Sequence, residues 1–195
     1  MEINKLIQNL ADETIPVTIL PSPLKRFFRW FLVSLFFLAI GISIHGLRPD
    51  IDIRLAETSF FIQTSIIFLF AISSAISAFT LSVPGEERSK WIRGMPILTG
   101  VLWISFLAFD YVGGKNASEI GFGFTCIRDI IFLGLLPSIL LFTMIARAAP
   151  LRLGWLGFLT FLAAFGLAAL GLQFTCSIDD PIHILLWHLL PWAFR

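Results

Sequence analysis

Thr58-Ser-Phe-Phe-Ile-Gln-Thr-Ser-Ile-Ile-Phe-Leu-Phe-Ala-Ile-Ser-Ser-Ala-Ile-Ser-Ala-Phe-Thr-Leu-Ser-Val-Pro-Gly85 contains no charged side chain. Crossing a hydrocarbon core of about 30 Å takes roughly 17–25 helical residues, so this stretch alone reaches across a bilayer. Helix is the reading, because an open strand edge in lipid leaves backbone groups unsatisfied. Four more neutral runs surround it: Trp30–Leu47, Gly94–Phe109, Ile130–Ala146 and Leu153–Ile178. Two reach the length unaided. The Gly94 run reaches it by continuing through Asp110 to Val112, and the Ile130 run by continuing to Ala149.

A sixth run, Pro181–Phe194, contains His183 and His188 and is interrupted by Pro191. At about 1.5 Å per residue it falls short of a crossing. It reads as a half-span, an interfacial helix or a short tilted sixth span. The expected fold class is an all-α integral membrane bundle, with five full transmembrane helices plus this short sixth. A short amphipathic helix precedes them.

Composition agrees. The 195 residues are 57% hydrophobic and 14% charged, whereas soluble domains carry about 25% charged and about 45–50% apolar residues. A net charge of +1 shows no basic excess, so direct binding of nucleic acid is not expected. Two cysteines cannot build a disulfide framework or a four-cysteine metal site. The first apolar run is not a cleavable signal. It is longer than a usual signal core, and no small-residue cleavage site follows Ile44.

Lys5, Lys25, Arg26, Arg29, Arg88, Lys90, Arg93, Arg147 and Arg152 fall on the N-terminal side of the spans; Arg48, Arg54, Lys115 and Arg128 fall on the other. The excess of Lys and Arg places the N-terminus in the cytoplasm. Ala71, Ser74, Ala75 and Ala78 in the second span, and Gly157, Ala164, Gly166 and Gly171 in the fifth, suit close helix packing. No ionisable residue falls near mid-membrane, which argues against an ion or metal transporter.

Three features carry chemistry. Cys126 precedes the fourth span and Cys176 follows the fifth, so both thiols sit at the outer face of consecutive antiparallel helices. They are either a pair within disulfide reach or two small buried side chains at helix ends. Cys176-Ser-Ile-Asp-Asp-Pro-Ile-His183 gathers thiol, carboxylate and imidazole groups at the same face. Cys126, Cys176, Asp180 and His183 are candidate ligands for zinc, cadmium or copper. The favoured alternative makes Asp179 and Asp180 caps of the last helix with Pro181 at its first position. His183 and His188, five apart, are a poor spacing for two ligands on one α-helix. Lastly, Ile3, Leu6, Ile7 and Leu10 form one apolar stripe. So short a helix is marginal alone in water. With only Lys5 on it, it suits a partner's groove better than a lipid surface.

Taken in order, these motifs resemble the NrsF-type membrane anti-sigma factors of proteobacteria. The resemblance rests on the amphipathic start, Leu20-Pro-Ser-Pro-Leu-Lys-Arg26 with Trp30, Gly46-Leu-Arg-Pro-Asp50, and Cys126 with Pro137. It continues through Arg147-Ala-Ala-Pro150, Cys176 with Asp180-Pro181, and Trp187-His188. The resemblance implies a non-enzymatic regulator in the bacterial inner membrane that needs no cofactor. Residues 1–26 would form a cytoplasmic segment that holds an extracytoplasmic-function sigma factor through Ile3, Leu6, Ile7 and Leu10. Residues 27–195 would form a transmembrane sensor in which Cys126 and Cys176 respond to oxidative or heavy-metal stress. The family usually ends in a full sixth span, and this chain stops at Arg195. A membrane thiol oxidoreductase is the alternative, but a single thiol pair offers no electron relay.

Overall fold

The computed structural model describes residues 3, 5, 7, 8, 20–85, 89–114, 123–148 and 150–189. The elements are α1 (Pro23–His45), the short α2 (Ile51–Leu55), α3 (Thr58–Leu81), α4 (Lys90–Val112), α5 (Phe124–Ala146), α6 (Leu153–Thr175) and α7 (Pro181–His183). The last runs directly into a π-helical turn, Ile184–Leu189. No strand occurs among the described residues. Helices α1, α3, α4, α5 and α6 are each long and apolar enough to cross a membrane, matching the five neutral runs.

Helix α1 starts well before its neutral run. Pro23 occupies a first-turn position that needs no N–H, and the helix takes in Lys25, Arg26 and Arg29. Arg26 does not end the apolar stretch because its side chain turns inward. It donates to Met144 O, Phe79 O and Ser82 Oγ. At the far end Gly46 adopts φ 84°, a left-handed conformation that a Cβ would oppose, while its N–H still reaches Ile42 O at 2.9 Å. The chain then turns sharply into Arg48.

Helices α3 and α6 form the buried centre, with α4 flanking α3, α5 flanking α6, and α1 packed across α3, α5 and α6. The small residues explain the closeness. A Cβ on Gly166 would lie 2.9 Å from Ala71 Cα, and one on Gly171 would lie 2.7 Å from Leu38 Cδ1. Gly157, read in the sequence as a packing glycine, faces open space instead.

Polar groups inside the bundle bond backbone carbonyls near its two helix-interior prolines. Pro96 within α4 has no N–H for the carbonyl of Ile92. Ser77 of α3 donates to that carbonyl at 2.6 Å. Trp30 of α1 donates from Nε1 to Pro137 O at 2.9 Å, tying α1 to α5.

Candidate functional site

Cys126 lies in the first turn of α5, and Cys176 is the first residue beyond α6. Helices α5 and α6 are antiparallel neighbours, so these two ends meet. The two sulfurs stand 3.4 Å apart as free thiols. Cys126 is buried and Cys176 half-buried.

The chain from Cys176 then turns back under the bundle. Asp180 Oδ1 accepts from the N–H groups of Ile182 and His183 at 2.7 and 3.0 Å, with Pro181 next in line. This is the capping arrangement, and it aims the start of α7 at the thiols. His183 is fully buried, with Nε2 3.7 Å from Cys126 Sγ and 3.8 Å from Cys176 Sγ.

His188 joins the same cluster. The five-residue spacing of His183 and His188, poor for two ligands on one α-helix, does not keep them apart. In an α-helix five residues advance about 500°, leaving the side chains roughly 140° apart. The segment Ile184–Leu189 is π-helical, and i→i+5 bonding brings residues five apart onto one side. The two imidazole rings lie 5.3 Å apart at 80°. One ligand atom from each of Cys126, Cys176, His183 and His188 falls within 4.8 Å of the others.

Gly123 makes room for this turn. A Cβ there would run into the ring of Trp187, and Trp187 also packs on Phe124 at 5.3 Å. A bulkier residue at 123 would push the π-turn, and His188 with it, away from α5. The thiol centre is also electrostatically uneven. Hydrogen bonding to the Cys126 thiol, with help from His188 and the Ile178 backbone, holds the Cys176 thiol well below its ordinary pKa despite burial.

Beside the thiols lies a buried ionic clamp built on Gly46-Leu-Arg-Pro-Asp50, a motif that the sequence alone does not mark as a site. Arg48 is 2% exposed. Its guanidinium binds both oxygens of Asp50 at 2.7 and 3.0 Å and both of Asp179 at 2.8 and 2.6 Å. Its backbone N–H reaches Phe174 O at 2.9 Å. Burial alone would weaken the Arg48 charge, but the bonds to Asp179 and Asp50 more than offset it and raise its pKa. In return Arg48, helped by Arg54, holds the Asp50 carboxyl well below the usual carboxylate range. Paired, two-pronged contacts of this kind are the strong ones. The clamp fastens the exit of α1 to the loop between Cys176 and Asp180.

Ile3 and Ile7 are helical and exposed. Leu6 and Leu10, the other half of the apolar stripe, lie outside the described residues, as do Lys115, Pro191 and Arg195.

Comparison with known proteins identifies a family. The family described as NrsF, negative regulator of sigma F, matches residues 10–194. That span takes in the thiol centre, the clamp and every long helix; it begins at the last residue of the apolar stripe. No curated protein and no solved structure matches the chain.

Proposed function

The chain belongs to the NrsF family, negative regulators of sigma F, and we propose that it restrains an extracytoplasmic-function sigma factor at the bacterial inner membrane. In this reading it is a regulator without catalysis. Residues 1–26 face the cytoplasm and hold the sigma factor through Ile3, Leu6, Ile7 and Leu10. Residues 27–195 form the sensor, and Cys126 and Cys176 respond to oxidative or heavy-metal stress. The observation that carries the proposal is the family match across nearly the whole chain. The exposed positions of Ile3 and Ile7 fit a stripe awaiting a partner, since a lone short helix gains its stability by docking.

In this reading the response works through the thiol pair. A two-electron oxidant takes two electrons from the paired thiols, an S–S bond forms, and two protons leave. The sulfurs, 3.4 Å apart, must close to about 2.05 Å. That closure pulls the first turn of α5 toward the loop after α6. Both elements bear on α1. The loop is clamped to its exit by Arg48 and Asp179, and the far end of α5 supplies Met144 O to Arg26 near its start. Residues 1–22 continue directly from that start. Moving the population from held to released takes a differential of a few kcal/mol between the two states.

The test is retention by the full-length chain, solubilised in detergent, of sigma factors from the host cytosol. A sigma factor held by the wild type and lost by the Leu6→Asp, Leu10→Asp variant is the expected result. Equal retention by both, or no sigma factor on either, would sink the N-terminal half of the proposal.

A further inference from the structure

We propose that Cys126, Cys176, His183 and His188 form a closed four-ligand site for one tetrahedral d10 dication, zinc or its thiophilic relative cadmium. This deepens the reading of the two cysteines as the responsive pair and rests on it. Four features of the cluster carry the assignment.

The first is distance. Metal–sulfur bonds of about 2.3 Å and metal–nitrogen bonds of about 2.0–2.1 Å, set at tetrahedral angles, separate two sulfurs by roughly 3.8 Å and sulfur from nitrogen by roughly 3.6 Å. The observed separations are 3.4 Å between sulfurs and 3.7 and 3.8 Å from His183 Nε2 to each sulfur. A disulfide needs the sulfurs far closer, whereas a metal accepts the two sulfurs and His183 Nε2 almost as they stand, and His188, whose ligand atom lies within 4.8 Å of the other three, closes in by about 1 Å to complete the tetrahedron.

The second is the imidazole pair. A simple dithiol switch has no use for two buried histidines, yet His183 and His188 are 0% and 3% exposed. His188 Nε2 has no hydrogen-bond partner among the described residues, and a buried polar atom of that kind calls for an explanation. The third is construction: the π-turn and Gly123 together bring His188 to the thiols, where an ordinary α-helix would carry it away. The fourth is charge. Two thiolates and two neutral imidazoles cancel a dication, so the occupied site buries no net charge; a monovalent ion would leave one negative charge uncompensated. On binding, the ion sheds its hydration waters and the two thiols release two protons.

Cobalt(II), added alone to the purified full-length chain in detergent under reducing conditions, is the probe. The expected result is one cobalt per chain, with a sulfur-to-cobalt charge-transfer band and intense tetrahedral bands, all abolished by added zinc. His188→Ala should weaken binding by at least about tenfold, since it removes one of four ligands. His188→Cys keeps four ligands and adds a third thiolate, so the charge-transfer band should rise by about half; a merely structural His188 would not produce that rise. Far-ultraviolet circular dichroism confirms that each variant remains helical. Absence of the charge-transfer band from wild-type protein with two titratable thiols would overturn the site. So would identical spectra and affinity in wild type, His188→Ala and His188→Cys. Sigma-factor retention is followed in the same samples: loss of the metal signal with oxidant-driven release intact removes this site and leaves the regulator standing. Metal binding with no sigma factor held does the reverse.

Discussion

Arg48 and Arg26 stand at opposite ends of α1, and both are buried, at 2% and 3% exposure. Their surroundings differ completely. Arg48 meets two carboxylates, each in a two-pronged grip. Arg26 meets only neutral acceptors, Met144 O, Phe79 O and Ser82 Oγ, and its Nε has no partner among the described residues. It also sits in the first turn of its helix, where the backbone dipole disfavours a cation. A buried charge that is paired resists removal, and one that is merely solvated by dipoles holds its place more weakly. The end of the bundle bearing the thiols is therefore a lock, and the end joined to residues 1–22 is a catch with little holding it. A signal generated at the thiols would be transmitted by the first and expressed at the second.

Removing the lock should have the largest effect. Arg48→Ala leaves Asp50 and Asp179 sharing only the more exposed Arg54, at 3.2 and 3.1 Å, and thermal unfolding in detergent should show a loss of about 3 kcal/mol. A loss under about 1 kcal/mol would place Arg48 no higher than an exposed ion pair. Asp179→Asn is milder. Arg48 keeps Asp50, the tie to the Cys176 loop is weakened, and about 1–2 kcal/mol should go.

Acid probes the same pair without mutation. Because Arg48 lowers the Asp50 pKa in the folded state, its stabilisation is fully present above the unfolded carboxylate value of about 3.9 and disappears as the pH falls through the lowered folded value. The thermal midpoint of the wild type should therefore drop below about pH 4, and Asp50→Asn should lack that share of the drop. The smallest effect is expected at the catch. Arg26→Met fills a similar volume without a charge, and Ser82 Oγ still donates to Phe79 O. Stability should stay within about 1 kcal/mol of wild type in either direction. A loss as large as that of Arg48→Ala would erase the contrast.

Much of this architecture is legible in the sequence because lipid allows few alternatives: an uncharged run such as Thr58–Gly85 has to be helix. The meeting of Cys126 and Cys176 also follows from topology, since consecutive antiparallel helices bring those two ends together. Three things were not legible. The start of α1 at Pro23 was hidden because Lys25, Arg26 and Arg29 look like a boundary, and only the inward turn of Arg26 lets the helix run through them. The place of His188 was hidden because a five-residue spacing faces away in an α-helix, and nothing in Ile184–Leu189 announces a π-turn. The clamp was hidden because Arg48 and Asp179 lie far apart in the chain. Helix α2 was missed too, although Asp50 and Arg54, four apart, form an ion pair across it that a search for such spacings would have flagged.

The most direct test of the account places the full-length chain in lipid nanodiscs, loads it with the sigma factor it retains, and adds diamide as a two-electron thiol oxidant. Release from the wild type is expected, with a disulfide formed between Cys126 and Cys176, and no release from Cys126→Ser or Cys176→Ser. Equal release from wild type and both variants, or a wild type that oxidises fully and still holds its partner, would contradict it.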